Sequence, residues 1–160
     1  MRLLLKNLLF TVVVPGTVAV YVPRLLVESR TLAAGPALVL AWPLLVAGAA
    51  IYGWCVWDFA AFGRGTPAPI DAPKRLVVRG LYRYSRNPMY VGVLAVILGQ
   101  AFLFGAPRLG SYAVVVGGCF HLFVVLYEEP HLARVFGAEY AAYRARVPRW
   151  LPSPGSRGPA

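Results

Sequence analysis

At 160 residues the chain has room for one domain, and 59% hydrophobic with only 14% charged residues excludes the usual soluble mix, in which about a quarter are charged. A mean hydropathy of +0.63 with a net charge of +10 indicates a membrane protein with basic flanks. Nucleic acid, the other common partner of such a charge, is not needed once the basic residues are located along the chain.

Four nearly uncharged stretches follow in order: Leu8 to Val22, Leu32 to Trp57, Met89 to Pro107 and Leu109 to Tyr127. A helix rises about 1.5 Å per residue and a bilayer core takes roughly 20 residues, so the last three are expected to span. The first is short; Arg2 and Lys6 can snorkel to extend it, and Pro15 is expected to bend it. If all four span, one side carries Arg2 and Lys6, the loop residues Arg64, Lys74, Arg75, Arg79, Arg83 and Arg86, and the tail residues Arg134, Arg144, Arg146, Arg149 and Arg157. The other side carries Arg24, Arg30 and Arg108. The positive-inside rule then places both termini in the cytoplasm, with anionic membrane lipids as partners of the basic flanks. No small-residue cleavage site follows the first apolar run, so a retained helix is expected there. Cys55 and Cys119 lie inside apolar helices and read as packing residues.

The expected fold is all-α, a polytopic integral membrane protein of about four transmembrane helices forming a single membrane domain over 1–160. Two N-terminal helices occupy 1–62, and a cytoplasmic loop at 63–87 is stiffened by Pro67, Pro69 and Pro73. A helical hairpin at 88–127 turns between Gly105 and Gly110, with Gly92 and Gly99 expected to meet Gly117 and Gly118. At 128–152, Leu132, Val135, Phe136, Tyr140 and Tyr143 recur at helical spacing and predict an amphipathic cytoplasmic helix. The tail at 153–160 is expected to be disordered.

The segment RGLYRYSRNPMYVG, Arg79 to Gly92, crowds arginines, tyrosines and an Asn-Pro pair at the start of the third apolar run, and Glu128-Glu129 follows the fourth. The hairpin returns one motif to the other. Arg86, Asn87, Tyr82, Tyr90, the free N–H groups of a helix N-terminus and Glu128 would together suit a zwitterionic ligand with a flat ring. Topology alone also accounts for arginines and tyrosines at a membrane boundary, and Pro88 suits any first helical turn. Two glutamates at a helix C-terminus oppose the macrodipole and need a partner, which can be an arginine or a ligand. Asp58 is expected to pair with Arg64, and His121 to bond a neighbour.

In sequence order, LVVRGLYRYSRNPMYVG, EEPHL, FGAEYAAY and a closing VP resemble the isoprenylcysteine carboxyl methyltransferase family and its phospholipid methyltransferase relatives, over roughly Pro73 to Pro152. The resemblance is to the short bacterial-type members and implies an enzyme of the bacterial inner membrane. It implies S-adenosylmethionine as cofactor, without the glycine-rich strand-to-helix fingerprint of soluble methyltransferases. Carried over residue by residue, Lys74, Arg75, Leu76 and Val77 match the cavity-lining segment and Tyr82 its aromatic neighbour. Arg86, Asn87, Pro88, Met89 and Tyr90 match the cofactor turn, and Glu128 its acidic contact. Asn87 stands where histidine is commoner, and Val124 where prenylcysteine enzymes are expected to carry a substrate-carboxylate arginine.

The acceptor implied is a lipophilic small molecule or lipid entering from the bilayer. An activated methyl donor needs no metal and no covalent nucleophile. If the acceptor is an amine or thiol a base must take its proton, for which Glu129 and Tyr90 are the candidates. An NADPH-dependent reductase related to sterol reductases, or a non-enzymatic membrane subunit, are the alternatives. Single cysteines introduced at Pro67 and Ser153, in a background lacking Cys55 and Cys119, should be labelled from the same face of the membrane; labelling from opposite faces would overturn this topology.

Overall fold

The computed structural model describes residues 2–29, 31–63 and 75–152, and all regular structure among them is helical. Lys74, Arg64, most of the proline-rich loop and the expected disordered tail lie outside the described residues. Helix α1 (Arg2–Gly16) passes through a π-helical turn (Thr17–Tyr21) into α2 (Val22–Leu26), and α3 (Pro36–Asp58) continues into a π-helical turn at Phe59–Gly63. A 3-10 turn at Gly80–Arg83 precedes α4 (Pro88–Leu103), α5 (Pro107–Phe123), a third π-helical turn (Val124–Glu128) and α6 (Glu129–Arg146). Among the described residues three helices are long and apolar enough to cross a membrane: Leu9–Leu26, Pro36–Phe62 and Pro107–Arg146.

The first span reaches four residues beyond the expected Val22, and local chemistry explains how. Proline at 23 has no N–H to give the carbonyl of Ala19, and the Val22 N–H bonds Thr17 across a wider π turn. Both carbonyls left over find donors on other helices. Gln100 Nε2 donates to Ala19 O at 2.7 Å and Tyr112 OH to Val18 O at 3.0 Å. Where no water competes, such bonds tie the first helix to α4 and α5. Tyr52 OH adds a bond to Thr11 Oγ1 at 2.9 Å, joining α3 to α1.

The third expected span is the short one. Helix α4 stops at Leu103 rather than Pro107, because the chain turns at Phe104 and Gly105, and its 16 residues rise only about 24 Å. It is the central helix, burying Met89, Gly92, Val93, Ile97, Gly99 and Leu103. The hairpin with α5 is present, but the expected glycine seam within it is not. Gly92 and Gly99 face α3: a Cβ on Gly48 would stand 2.7 Å from the Gly92 carbonyl, and one on Gly99 2.8 Å from Leu45. Gly118 faces open space instead, and Gly117 makes only ordinary contact with Leu94. The backbones of α3 and α4 thus approach at a point where only glycine fits.

A second departure concerns the acid pair. The helix does not end at Tyr127 but runs on through the π turn to Arg146, so Glu128 and Glu129 lie within a continuous helix and meet no unpaired helix C-terminus. The later part bends at Gly137, whose φ of 49° and ψ of −120° leave the helical region, a conformation open to glycine without strain. On both sides of the bend, most of the apolar face expected to lie on the membrane surface packs on protein, with Leu132, Phe136 and Leu76 against a buried cluster of Tyr140, Tyr143 and Val147, while Val135 stays exposed.

Thermal unfolding in nanodiscs should show Gly48→Ala destabilised by about 1–3 kcal/mol, the cost of overpacking a close contact. Gly53→Ala, where nothing lies within 4 Å, should leave the transition unchanged.

Candidate functional site

Site residues enter from three directions. The extended segment 75–79 and the Gly80–Arg83 turn lie beside α3, the turn 84–87 leads into α4, and the long helix brings Glu128 and Glu129. Pro88 sits at the first turn of α4, where its missing N–H costs nothing. Helix α3 supports this end through Asp58, 2% exposed, whose Oδ1 lies 3.4 Å from Arg79 Nε. Among the described residues Arg79 is the partner of Asp58, and its guanidinium also lies over the Phe62 ring; Arg64, the partner expected from the sequence, lies outside the described residues.

The two glutamates have different surroundings. Glu129, 8% exposed, accepts from Arg86 NH1 at 2.9 Å and from Arg149, Nε to Oε1 at 2.6 Å and NH2 to Oε2 at 3.1 Å. Burial by itself would raise its pKa, but the Arg149 hydrogen bonds and the charges of Arg86 and Arg149 outweigh that and hold the carboxyl below its ordinary value. Among the described residues Glu128 has only Tyr90, whose OH donates to Oε2 at 2.9 Å. Burial pushes the Glu128 carboxyl up, the Tyr90 bond opposes this in part, and the Glu129 charge adds to it.

Around this pair a polar scaffold ties the C-terminal segment to the turn before α4. The Arg86 N–H donates to Pro148 O (2.9 Å), and Asn87 Nδ2 and Ser85 Oγ both donate to Arg149 O (3.0 and 3.3 Å). Arg86 NH1 also reaches Tyr140 OH at 3.1 Å, and Tyr143 OH donates to Tyr82 O at 2.8 Å. An aromatic wall continues toward the apolar helices. Tyr90 lies 4.6 Å from Phe120 and 6.5 Å from Trp150, centroid to centroid, and Trp150 Nε1 donates to His121 Nδ1 at 3.2 Å. His121 thus has the neighbour expected of it. Among the described residues the buried Nε of Arg86 has no hydrogen-bond acceptor.

Residues 36–139 match the family model described as phospholipid methyltransferase. The chain belongs to that family. Over 78 residues it is 33% identical to Protein-S-isoprenylcysteine O-methyltransferase B of Arabidopsis thaliana, a match covering 49% of this chain and 40% of that relative. The chain thus spans well under half the length of the curated relative it matches. No solved structure matches it.

Of the residues singled out in the sequence, Val77, Tyr82 and Met89 form one buried cluster with Cys55, Arg86 meets Glu129, and Tyr90 meets Glu128. Asn87 and Pro88 are buried in the same turn. Leu76 instead joins the Tyr140, Tyr143 and Val147 cluster, and Arg75 is exposed. Arg149, Tyr140 and Trp150 were missed as site residues. Arg149 reads in sequence as one more basic residue of the tail, and its position after Val147-Pro148 was the available signal.

Replacing Glu129 by Gln strands two guanidinium groups and should cost about 3 kcal/mol of stability, the low end for breaking a buried pair because Arg149 is one-third exposed. Because the folded carboxyl sits below its ordinary value, its stabilisation is complete above about pH 4.3 and is lost as pH falls through the folded pKa. Unfolding temperature against pH should therefore decline in acid for the wild type, and Glu129→Gln should remove part of that slope.

Proposed function

We propose that this protein is an integral membrane methyltransferase that uses S-adenosylmethionine and acts on a lipophilic acceptor reached from the bilayer. The carrying observation is that, among the described residues, the N-terminal end of α4 brings together a carboxylate bonded only by Tyr90, Glu128, and an unsatisfied buried donor, Arg86 Nε. A zwitterionic amino-acid group needs both an anion and a cation, and the residues present suit it. Glu128 would hold the ammonium, Arg86 and the first turn of α4 the carboxylate, and the Tyr82, Met89 and Val77 cluster the apolar parts. When bound, S-adenosylmethionine supplies an activated methyl group on a sulfonium centre.

The work left to the chain is positioning and exclusion of water. Tyr90, Phe120 and Trp150 line the boundary between the charged site and the apolar helices, where an acceptor from the bilayer would meet the donor. Glu129, with both oxygens held by arginines, is a poor base and belongs to the scaffold. Tyr90 donates its hydrogen bond to Glu128, and Glu128 would hold the ammonium, so an acceptor proton would pass to water. Val124 is 1% exposed and apolar where a carboxylate acceptor would want a cation, which favours a lipid acceptor without a carboxylate, in keeping with the family. The site and both termini belong on the cytoplasmic side in this reading, by the charge distribution of the flanks.

Calorimetry with protein in nanodiscs should show saturable binding of S-adenosylmethionine, and Glu128→Ala should weaken it at least tenfold, about 1.4 kcal/mol. Attraction of a cation needs Glu128 ionised and burial raises its pKa, so affinity should fall as pH drops through a midpoint above the ordinary carboxylate range. Binding of NADPH in place of S-adenosylmethionine would favour a reductase, and binding of neither a structural subunit.

A further inference from the structure

Glu128 and Glu129 are adjacent, yet among the described residues Glu129 is bonded by two arginines and Glu128 by a single tyrosine hydroxyl. The difference originates twenty residues away, in Arg149. Its guanidinium holds both oxygens of Glu129, while its carbonyl accepts from Asn87 and Ser85. The preceding carbonyl, of Pro148, accepts from the Arg86 backbone. One short segment therefore connects the acid pair to the turn that launches α4, and α4 carries the Tyr90 that orients Glu128.

We infer that Arg149 is a positioning residue of the ligand site: by neutralising Glu129 and pinning the Ser85 to Asn87 turn, it leaves Glu128 as the carboxylate of the pair that faces a cationic ligand. The inference rests on the reading of the site given above. Its physical basis is the interaction of like charges in a partly desolvated space. With Arg149 in place, the field that Glu129 exerts on its neighbour is reduced, though not abolished. Without it, Arg86 and Arg144 are left to oppose Glu129, whose less fully compensated charge then favours the protonated, uncharged form of Glu128 more strongly. A neutral Glu128 attracts no cation. Among the described residues the other groups around Glu128 are Tyr90 from α4, Tyr82 from the short helical turn and Tyr140 from α6. None of them is an anion at neutral pH, so Glu129 is the neighbour whose charge Arg149 controls. Arg86 and Arg144 also act on Glu129, and Arg86 is already shared with Tyr140.

The test is an infrared titration of the carboxyl groups in ligand-free protein in nanodiscs, with Glu128→Gln identifying the Glu128 band, beside calorimetry with S-adenosylmethionine. Arg149→Gln should raise the Glu128 midpoint by roughly one pH unit and weaken binding up to tenfold below that midpoint. Arg149→Lys, which keeps the charge, should hold the midpoint near the wild-type value, and Glu129→Gln/Arg149→Gln should restore it. An unchanged midpoint in Arg149→Gln, with only the unfolding temperature lowered, would overturn the proposal and leave Arg149 a structural residue. A double variant titrating like Arg149→Gln would overturn it too. Should Arg149→Gln fail to fold, Glu129→Gln gives the converse: the Glu128 midpoint must fall, and constancy refutes the proposal. Midpoints that move as stated in a protein that binds no S-adenosylmethionine would instead remove the methyltransferase reading and keep the control of Glu128 by Arg149.

Discussion

Glu129 lies between Arg86 and Arg149, and the loop end of the molecule is arranged around that ionic contact. A buried carboxylate loses several kcal/mol of hydration, and only close, well-directed donors return it. Here the donors come from segments distant in sequence, so satisfying one charge also fixes the turn before α4, the kinked helix α6 and the segment after it. The aromatic residues then take positions that the ionic contact sets. Tyr140 closes over Arg86, Tyr143 reaches the Tyr82 carbonyl, and Trp150 meets His121 and Tyr90.

At the apolar end the governing constraint is the backbone itself. Lipid offers no partner to a free carbonyl, so each departure from regular helix has to be answered by a side chain. Pro23 and the π turn before it expose two carbonyls, and Gln100 and Tyr112 cover them. The two polar residues that seem out of place in apolar helices are thus the ones that hold the first span. The short α4 is accommodated because it is wrapped by other helices, with Gly48 and Gly92 allowing backbone contact.

The match to the phospholipid methyltransferase family runs over residues 36–139 and so includes the acid pair. A site for an activated methyl donor needs no strong acid or covalent nucleophile. It needs charged groups that recognise the donor and an apolar route for the acceptor. In the reading proposed above, Glu128 beside the arginine-held Glu129 would recognise the donor, and Tyr90, Phe120 and Trp150 would border the acceptor's route.

Composition and periodicity were enough to read an all-helical membrane chain, because apolar runs separated by basic flanks have few other solutions. The ordered set of short motifs was enough to read the family, since Arg86 to Tyr90, Glu128-Glu129 and the later tyrosines fall at informative spacings. Tertiary structure alone decided the rest. Whether Gly92 faces α3 or α5 depends on rotation about α4, which an almost uniformly apolar helix does not encode. The run of the helix through Glu128 depends on a π turn that composition does not reveal. Arg149 joined the site only when the chain folded back, because an arginine that neutralises a buried carboxylate and one that faces lipid head groups look alike until the distance to the carboxylate is known.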